Sequence, residues 1–193
     1  KILLENSNGR YLAENIKSNI NLPPFNNSAV DGYAIIKHDI LKKNNQLKVD
    51  QRIAAGDKKS RLLKRGEVAR IFTGAQMPKN SSTIIMQENV TLSKKKIFIN
   101  KFPSIGENCR LKGEDIKKGK IILSKGDKIN STNVNLLAAI GKRDVYVKKK
   151  IKIGFYTSGN ELKKPTENLR GSQINNSNYY SLNSLLNTPF LES

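Results

Sequence analysis

Asp31 is the acid in this sequence whose neighbours best suit chemistry. It lies in the stretch Leu22-Pro23-Pro24-Phe25-Asn26-Asn27-Ser28-Ala29-Val30-Asp31-Gly32-Tyr33-Ala34. Two prolines fix the approach, the small Ser28 and Ala29 leave room, and Asp31-Gly32 permits a tight turn that projects a carboxylate. The same residues also read as a plain Asx turn in which Asp31 caps its own backbone. Thr73-Gly74 offers a hydroxyl and an accessible backbone N–H, which suits a phosphate or oxyanion contact, and it equally reads as a turn that ends a strand. Glu114-Asp115 sits between glycines as either a pair of site acids or two solvated turn acids. Glu161 follows an apolar run, Ile151 to Thr157, and the end of an α/β strand is where ligands bind.

Other reactive residue types carry no such pattern. His38 is the sole histidine and has no nucleophile or carboxylate pattern around it. Cys109 is the single cysteine, so it makes no internal disulfide and belongs to no thiolate zinc set. There is no phosphate-binding P-loop and no dinucleotide fingerprint among the glycines.

The elements that must position these residues are mostly strands. Pro23-Pro24 stops any helix and forces an extended approach, so a new unit begins there. Short apolar runs follow at Tyr33 to Ile36, Leu47 to Ile53, Val68 to Phe72 and Thr83 to Gln87, with Gly56, Gly66 and Pro78 among the residues separating them. Thr91 to Phe102 reads as a hairpin across the lysine run, with Ile97 and Ile99 alternating against polar neighbours. This spacing predicts a small β-barrel or sandwich. Tyr11 to Ile16 reads as either a short helix or an extended stretch. Ser131 or Thr132 is expected to cap a helix through Asn133 to Ile140 that stops at Gly141, followed by a strand at Val145 to Val147. Ile151 to Thr157 then reads as a strand and Asn175 to Leu186 as a helix, the opening of an α/β domain that ends before a second parallel strand completes it. Such a unit should be unable to bury its faces alone.

Composition bounds the rest. The hydrophobic share is 37%, enough for a folded core, and 35 Lys and Arg against 16 Asp and Glu give a net charge of +19. That field draws anions, including nucleic acid, phosphate-bearing cofactors and oxyanions. The basic residues are nevertheless scattered, with short runs only at Lys94 to Lys96 and Lys148 to Lys150, as on a solvated surface. Aromatics make up 6% and are not interleaved with the basic runs, which disfavours a single-strand stacking platform. The lone cysteine fits a reducing compartment, and no membrane span or signal peptide is legible, so a cytoplasmic protein is expected. Both termini read as cuts within a longer protein.

The chain resembles the MoeA and gephyrin E-domain family. The stretch around Asp31 is similar to the family's Pro-x-Phe-Asp-Asn-Ser-Ala-Met-Asp-Gly-Tyr-Ala signature. Arg70-Ile71-Phe72-Thr73-Gly74-Ala75-Gln76-Met77-Pro78 resembles its Arg-Ile-x-Thr-Gly-Ala-x-x-Pro, followed by Met86-Gln87-Glu88. Gly106-Glu107-Asn108 with Arg110, Gly113 to Ile116, Thr157 to Leu162 and Gly171 to Asn178 continue the series in family order.

That resemblance implies a homodimeric enzyme that inserts molybdate into adenylylated molybdopterin and releases AMP, with a divalent cation, usually Mg2+. It implies catalytic roles for Asp31, Thr73, Asp115 and Glu161, cofactor contacts at Ser28, Gly74, Ser158 and Gly159, and metal ligation by Asp31 and Glu161. A hard cation held by carboxylates would bridge the phosphate anhydride and the metal oxyanion. It also implies a mixed, mostly β fold with an α/β end. Residues 1–22 and 113–149 form a discontinuous β-rich dimerisation domain, 23–112 an inserted barrel-like β domain, and 150–193 the truncated start of an α/β molybdopterin-binding domain. Three positions depart from the pattern, where Asn26, Asn160 and Asn175 replace or displace acids. Each loses a charge and keeps a hydrogen-bonding oxygen. Because the family's site forms between one subunit's α/β domain and the other's β domain, this chain by itself is expected to be inactive. The competing readings are a dimerising scaffold of the same family and a basic β domain that binds nucleic acid.

Overall fold

The computed structural model describes residues 1–57 and 61–192. It is mostly β with few helices, arranged as two compact units, one of residues 18–120 and one of residues 1–17 with 121–193.

Residues 18–120 are built on one curled sheet of six strands: β1 (Gly32–Ile35), β2 (Gln46–Ile53), β3 (Glu67–Ile71), β4 (Thr83–Met86), β5 (Val90–Ser93) and β6 (Lys96–Ile99), in the order β4-β1-β3-β2-β6-β5. The β2–β3 pair is parallel and the others are antiparallel. The four apolar runs at 33–36, 47–53, 68–72 and 83–87 therefore appear as strands of this sheet. β1 lies between β3 and β4 and is buried along its whole length, because both faces of the sheet are covered. Period-two alternation sends Ala34 into one cluster with Ile53, Ile71 and Ile84, and Tyr33 and Ile35 into another with Leu47, Val68, Ile85 and Ile97. A fully buried isoleucine such as Ile35 stabilises the fold by about 2 kcal/mol.

One feature of β1 is dictated by close approach. A Cβ on Gly32 would lie 2.0 Å from the Ile85 carbonyl oxygen, so only glycine lets β4 pair at this point. A short helix, α1 (Lys37–Leu41), follows β1. It carries the buried Asp39, whose carboxylate accepts from the Gly66 N–H at 2.9 Å.

In the other unit, Ile2–Leu3 pairs antiparallel with Asp144–Val145, and Ile16–Lys17 with Ile121–Leu123. Tyr11 and Leu12 form bridges to Lys128 and Val147, so the stretch left open between helix and strand is extended. Helix α2 (Ser131–Ala139) carries the fully buried Leu137, and Leu12, Ile16, Ile129, Ile140 and Val145 are buried in the same unit. Its cap is Asn130, not Ser131 or Thr132. The Asn130 side chain accepts from Asn133 N–H at 2.8 Å while the Asn133 side chain accepts from Asn130 N–H at 3.0 Å, a reciprocal box that neither hydroxyl residue supplies.

The C-terminal segment corrects two expectations. Its first strand is only Ile151–Lys152, and it finds a parallel partner at Leu191–Glu192, beyond helix α3 (Ser177–Leu186). The ladder is short because its partner strand supplies only the two residues Leu191 and Glu192. As expected for a unit that does not cover its own faces, α3 has no buried residue, and Ile151, Tyr156 and Leu185 are 61%, 89% and 71% exposed. Among the described residues no helix is long and apolar enough to cross a membrane.

Candidate functional site

The register of the sheet brings Asp31 to Thr73. Gly32 pairs with Ile71 across the antiparallel β1–β3 ladder, so the residue before β1 meets the turn after β3. Asp31 Oδ1 accepts from Thr73 N–H at 2.8 Å and from Thr73 Oγ1 at 2.8 Å. These bonds, the backbone one first and then the hydroxyl, hold the Asp31 carboxyl below the usual carboxylate range, and the Arg70 charge adds to the effect. Asp31 is therefore an ionised carboxylate with one oxygen committed to Thr73, and Oδ2 accepts nothing among the described residues.

The donors expected to be free at Thr73-Gly74 are engaged. Thr73 gives both of its donors to Asp31, and the Gly74 N–H donates to Ser28 O at 2.9 Å. The turn needs glycine at position 74, where φ is +80°. Ser28 is buried, and its hydroxyl donates to Val30 O, which shapes the loop that leads to Asp31.

Arg70 extends this site. It lies directly opposite Tyr33 in the ladder, donates to Gly32 O at 3.2 Å and to Gln87 Oε1, and stacks between the rings of Tyr33 and Phe72 at 5.1 and 4.8 Å. Gln87 in turn donates to Glu88 at 3.1 Å, and its N–H donates to Asp31 O at 3.1 Å. Both residues lie in stretches that the sequence marked, but their roles were not legible. The signal that could have found them is the register: once Gly32 is aligned with Ile71, Arg70 must stand beside Tyr33.

Asp115 has a different partner. Arg110 donates from one terminal nitrogen to both of its oxygens and lies 3.8 Å from Glu114, while the Asp115 N–H donates to Leu22 O at 2.9 Å. The whole cluster is solvent-accessible.

Glu161, Ser158 and Gly159 belong to the other unit and are exposed. The Glu161 carboxylate lies over Gly159, where a Cβ would stand 2.5 Å from Oε1, and its backbone carbonyl accepts from Ile174 N–H at 2.8 Å. Leu162–Lys163 pairs with Ile174–Asn175, and Asn176 donates to Thr157 Oγ1 at 2.6 Å while capping α3. The stretches 157–162 and 171–178 are thus joined to each other, and Lys164, Asn176, Tyr179 and Tyr180 line a pocket of about 390 Å³ beside them.

A resident magnesium needs several oxygen ligands in near-octahedral order. Among the described residues no three His, Cys, Asp or Glu side chains are grouped as a metal site requires. The described residues therefore do not fit a self-contained cation site.

Comparison with known proteins decides the family. The profile of the MoeA N-terminal region (domain I and II) matches residues 1–141. This chain belongs to the MoeA family. It is 35% identical over 184 residues to the molybdopterin molybdenumtransferase of Haemophilus influenzae, covering 95% of this chain and 45% of the relative. It is 34% identical over 184 residues to the enzyme of that name from Nostoc sp., covering 93% and 42%. Its fold matches the crystal structure of the molybdopterin biosynthesis MoeA protein from Pyrococcus horikoshii OT3 with a TM-score of 0.88 at 34% identity, over 100% of this chain and 52% of that one. The chain thus spans about half the length of the relatives it matches.

Proposed function

We propose that this chain is the N-terminal part of a molybdopterin molybdenumtransferase, an enzyme that inserts molybdate into adenylylated molybdopterin with release of AMP. The observation that carries the reading is the Asp31–Thr73 pair, an ionised carboxylate held at a sheet end in a chain of this family. Asp31, Thr73, Asp115 and Glu161 carry the catalytic roles, with Gly74, Ser158 and Gly159 at the substrate. Ser28 acts by shaping the Asp31 loop. Thr73 fixes the carboxylate, whose free oxygen orients an attacking or leaving group. Arg110 steadies Asp115. Magnesium would enter with the negatively charged substrates as their counter-ion, with Asp31 and Glu161 as its proposed carboxylate contacts.

In this reading, residues 1–22 with 113–149 form a dimerising domain, 23–112 an insert and 150–193 the start of a molybdopterin-binding α/β domain, in a cytoplasmic homodimer. The compact unit 18–120 supports the insert. The test is molybdate-dependent AMP release from adenylylated molybdopterin by a full-length protein containing this chain, compared with its Asp31→Ala and Glu161→Ala variants. Activity in the unmodified protein and loss in both folded variants is expected; no activity in the unmodified protein would leave a scaffold as the better reading. The 193-residue chain alone should release no AMP.

A further inference from the structure

A hydrogen bond to one carboxylate oxygen does not by itself aim the other, because the backbone beneath Asp31 must also be held. Two carbonyls do this. Asp31 O accepts from the Gln87 N–H at 3.1 Å, and Gly32 O accepts from Arg70 Nη1 at 3.2 Å. Gln87 opens the 3₁₀ turn Gln87–Asn89 after β4, and Arg70 lies in β3, so the two braces come from either side of β1. Arg70 Nη2 donates to Gln87 Oε1 and closes the frame. Glu88 turns the Gln87 amide the right way for this, since its Oε1 accepts from Gln87 Nε2 at 3.1 Å.

Arg70 is arranged to hold the loop. Both of its terminal nitrogens donate within the frame, and its guanidinium stacks on Tyr33 at 5.1 Å and on Phe72 at 4.8 Å. A planar fork with donors at fixed spacing reaches a backbone carbonyl and a side-chain carbonyl together. A lysine ammonium is a point charge on a flexible stem and does not reproduce that fork. Beyond the backbone and hydroxyl bonds from Thr73, the Arg70 charge also lowers the Asp31 pKa, an effect that a lysine there keeps.

We infer that Arg70 and Gln87 are positioning residues for the proposed transfer, acting through the Asp31–Gly32 backbone to aim the carboxylate oxygen that Thr73 leaves free. Glu88 serves the same frame by orienting Gln87, which gives the Met86-Gln87-Glu88 stretch a role. The inference rests on the transferase reading for its turnover arm alone, since the placement of the carboxylate is measured without substrate.

The first arm of the test follows the Asp31 side-chain carboxyl carbon by NMR in the 193-residue chain and in Arg70→Lys, Gln87→Met and Arg52→Gln. Arg70→Lys keeps the charge and loses the fork. Gln87→Met removes the acceptor at an exposed position and leaves the backbone N–H in place, so it decides alone if Arg70→Lys does not fold. Arg52→Gln removes a charge that stacks on the same Phe72 ring at 4.5 Å and, among the described residues, makes no bond to the frame. The Asp31 resonance should shift in Arg70→Lys and Gln87→Met and stay in place in Arg52→Gln.

The second arm is turnover by the full-length protein containing this chain. Arg70→Lys and Gln87→Met should lose about tenfold in kcat with KM within about twofold, because the aim of Asp31 changes and no substrate contact is removed. Gln87→Glu keeps an acceptor for Arg70 and should recover most of the kcat lost in Gln87→Met. An Asp31 resonance unmoved in Arg70→Lys and Gln87→Met, or moved as far in Arg52→Gln, would overturn the inference. Unchanged turnover in both variants, or a loss confined to KM, would overturn it as well. A shifted resonance in the chain beside a full-length protein that releases no AMP would sink the transferase reading and leave the bracing of Asp31 standing.

Discussion

Asp31 Oδ1 accepts both hydrogen bonds that Thr73 can donate, from its backbone N–H and from its hydroxyl, each at 2.8 Å. The carboxylate is thereby oriented by a residue on a different strand connection, and its charged form is favoured over its neutral one.

Thr73→Val removes the hydroxyl donor and keeps the backbone one. The Asp31 pKa should rise in this variant while staying below that of an ordinary carboxylate, as followed by carbon-detected NMR titration of the side chain. A carboxyl whose folded pKa is depressed stabilises the fold above its unfolded pKa, and the contribution is lost as pH falls through the folded value. Thr73→Val should therefore show a weaker loss of stability than the unmodified chain on acidification below the ordinary carboxylate range. An unchanged Asp31 titration would mean that the hydroxyl bond contributes nothing in solution.

Gly32→Ala should destabilise the sheet more than any surface change nearby. The added Cβ meets a backbone carbonyl at 2.0 Å, which no rotamer change relieves, so β1 and β4 must separate. A loss of about 3 kcal/mol is expected in urea unfolding. Because Asp31 precedes this glycine, its titration should also return towards ordinary values.

Asn130→Ala deletes the acceptor of the α2 capping box and leaves the Asn133 N–H without its partner. Thermal unfolding should show a cost of about 1 kcal/mol, with Asn130→Ser recovering most of it. If alanine proved neutral, the reciprocal bonds would be solvent-competitive and the helix held by Leu137 packing alone.

Burial pushes the Cys109 thiol up to about 11, against a weaker opposing hydrogen bond. At pH 8 only about one thiol in a thousand is then ionised, and alkylation by iodoacetamide should be slow in the native chain. The rate should climb with pH well past the usual thiol range, and denaturation should abolish the protection.

Much of this architecture could be read from residue order because local physics decides it. The runs at residues 33–36, 47–53, 68–72 and 83–87 became strands, since alternating or continuous apolar residues between turn formers have no better way to be buried. The α2 cap is not legible from residue order because hydroxyl residues stand next to Asn130, which accepts the bond. The pairing of Ile151–Lys152 with Leu191–Glu192 leaves no sequence signal, because two residues carry no periodicity.

The site divides along the same line. Residue types and their order identified Asp31, Thr73, Asp115 and Glu161 as the groups to watch, and the glycines at 32 and 74 as positions where backbone geometry is special. Which partner each acid takes was decided only in three dimensions. Asp31 and Thr73 are 42 residues apart, and they meet because Gly32 aligns with Ile71, a register set by burial on both sheet faces. The same register stacks Arg70 on Tyr33 and Phe72. A side-chain hydrogen bond needs placement within a few tenths of an ångström, and only the packed sheet supplies it.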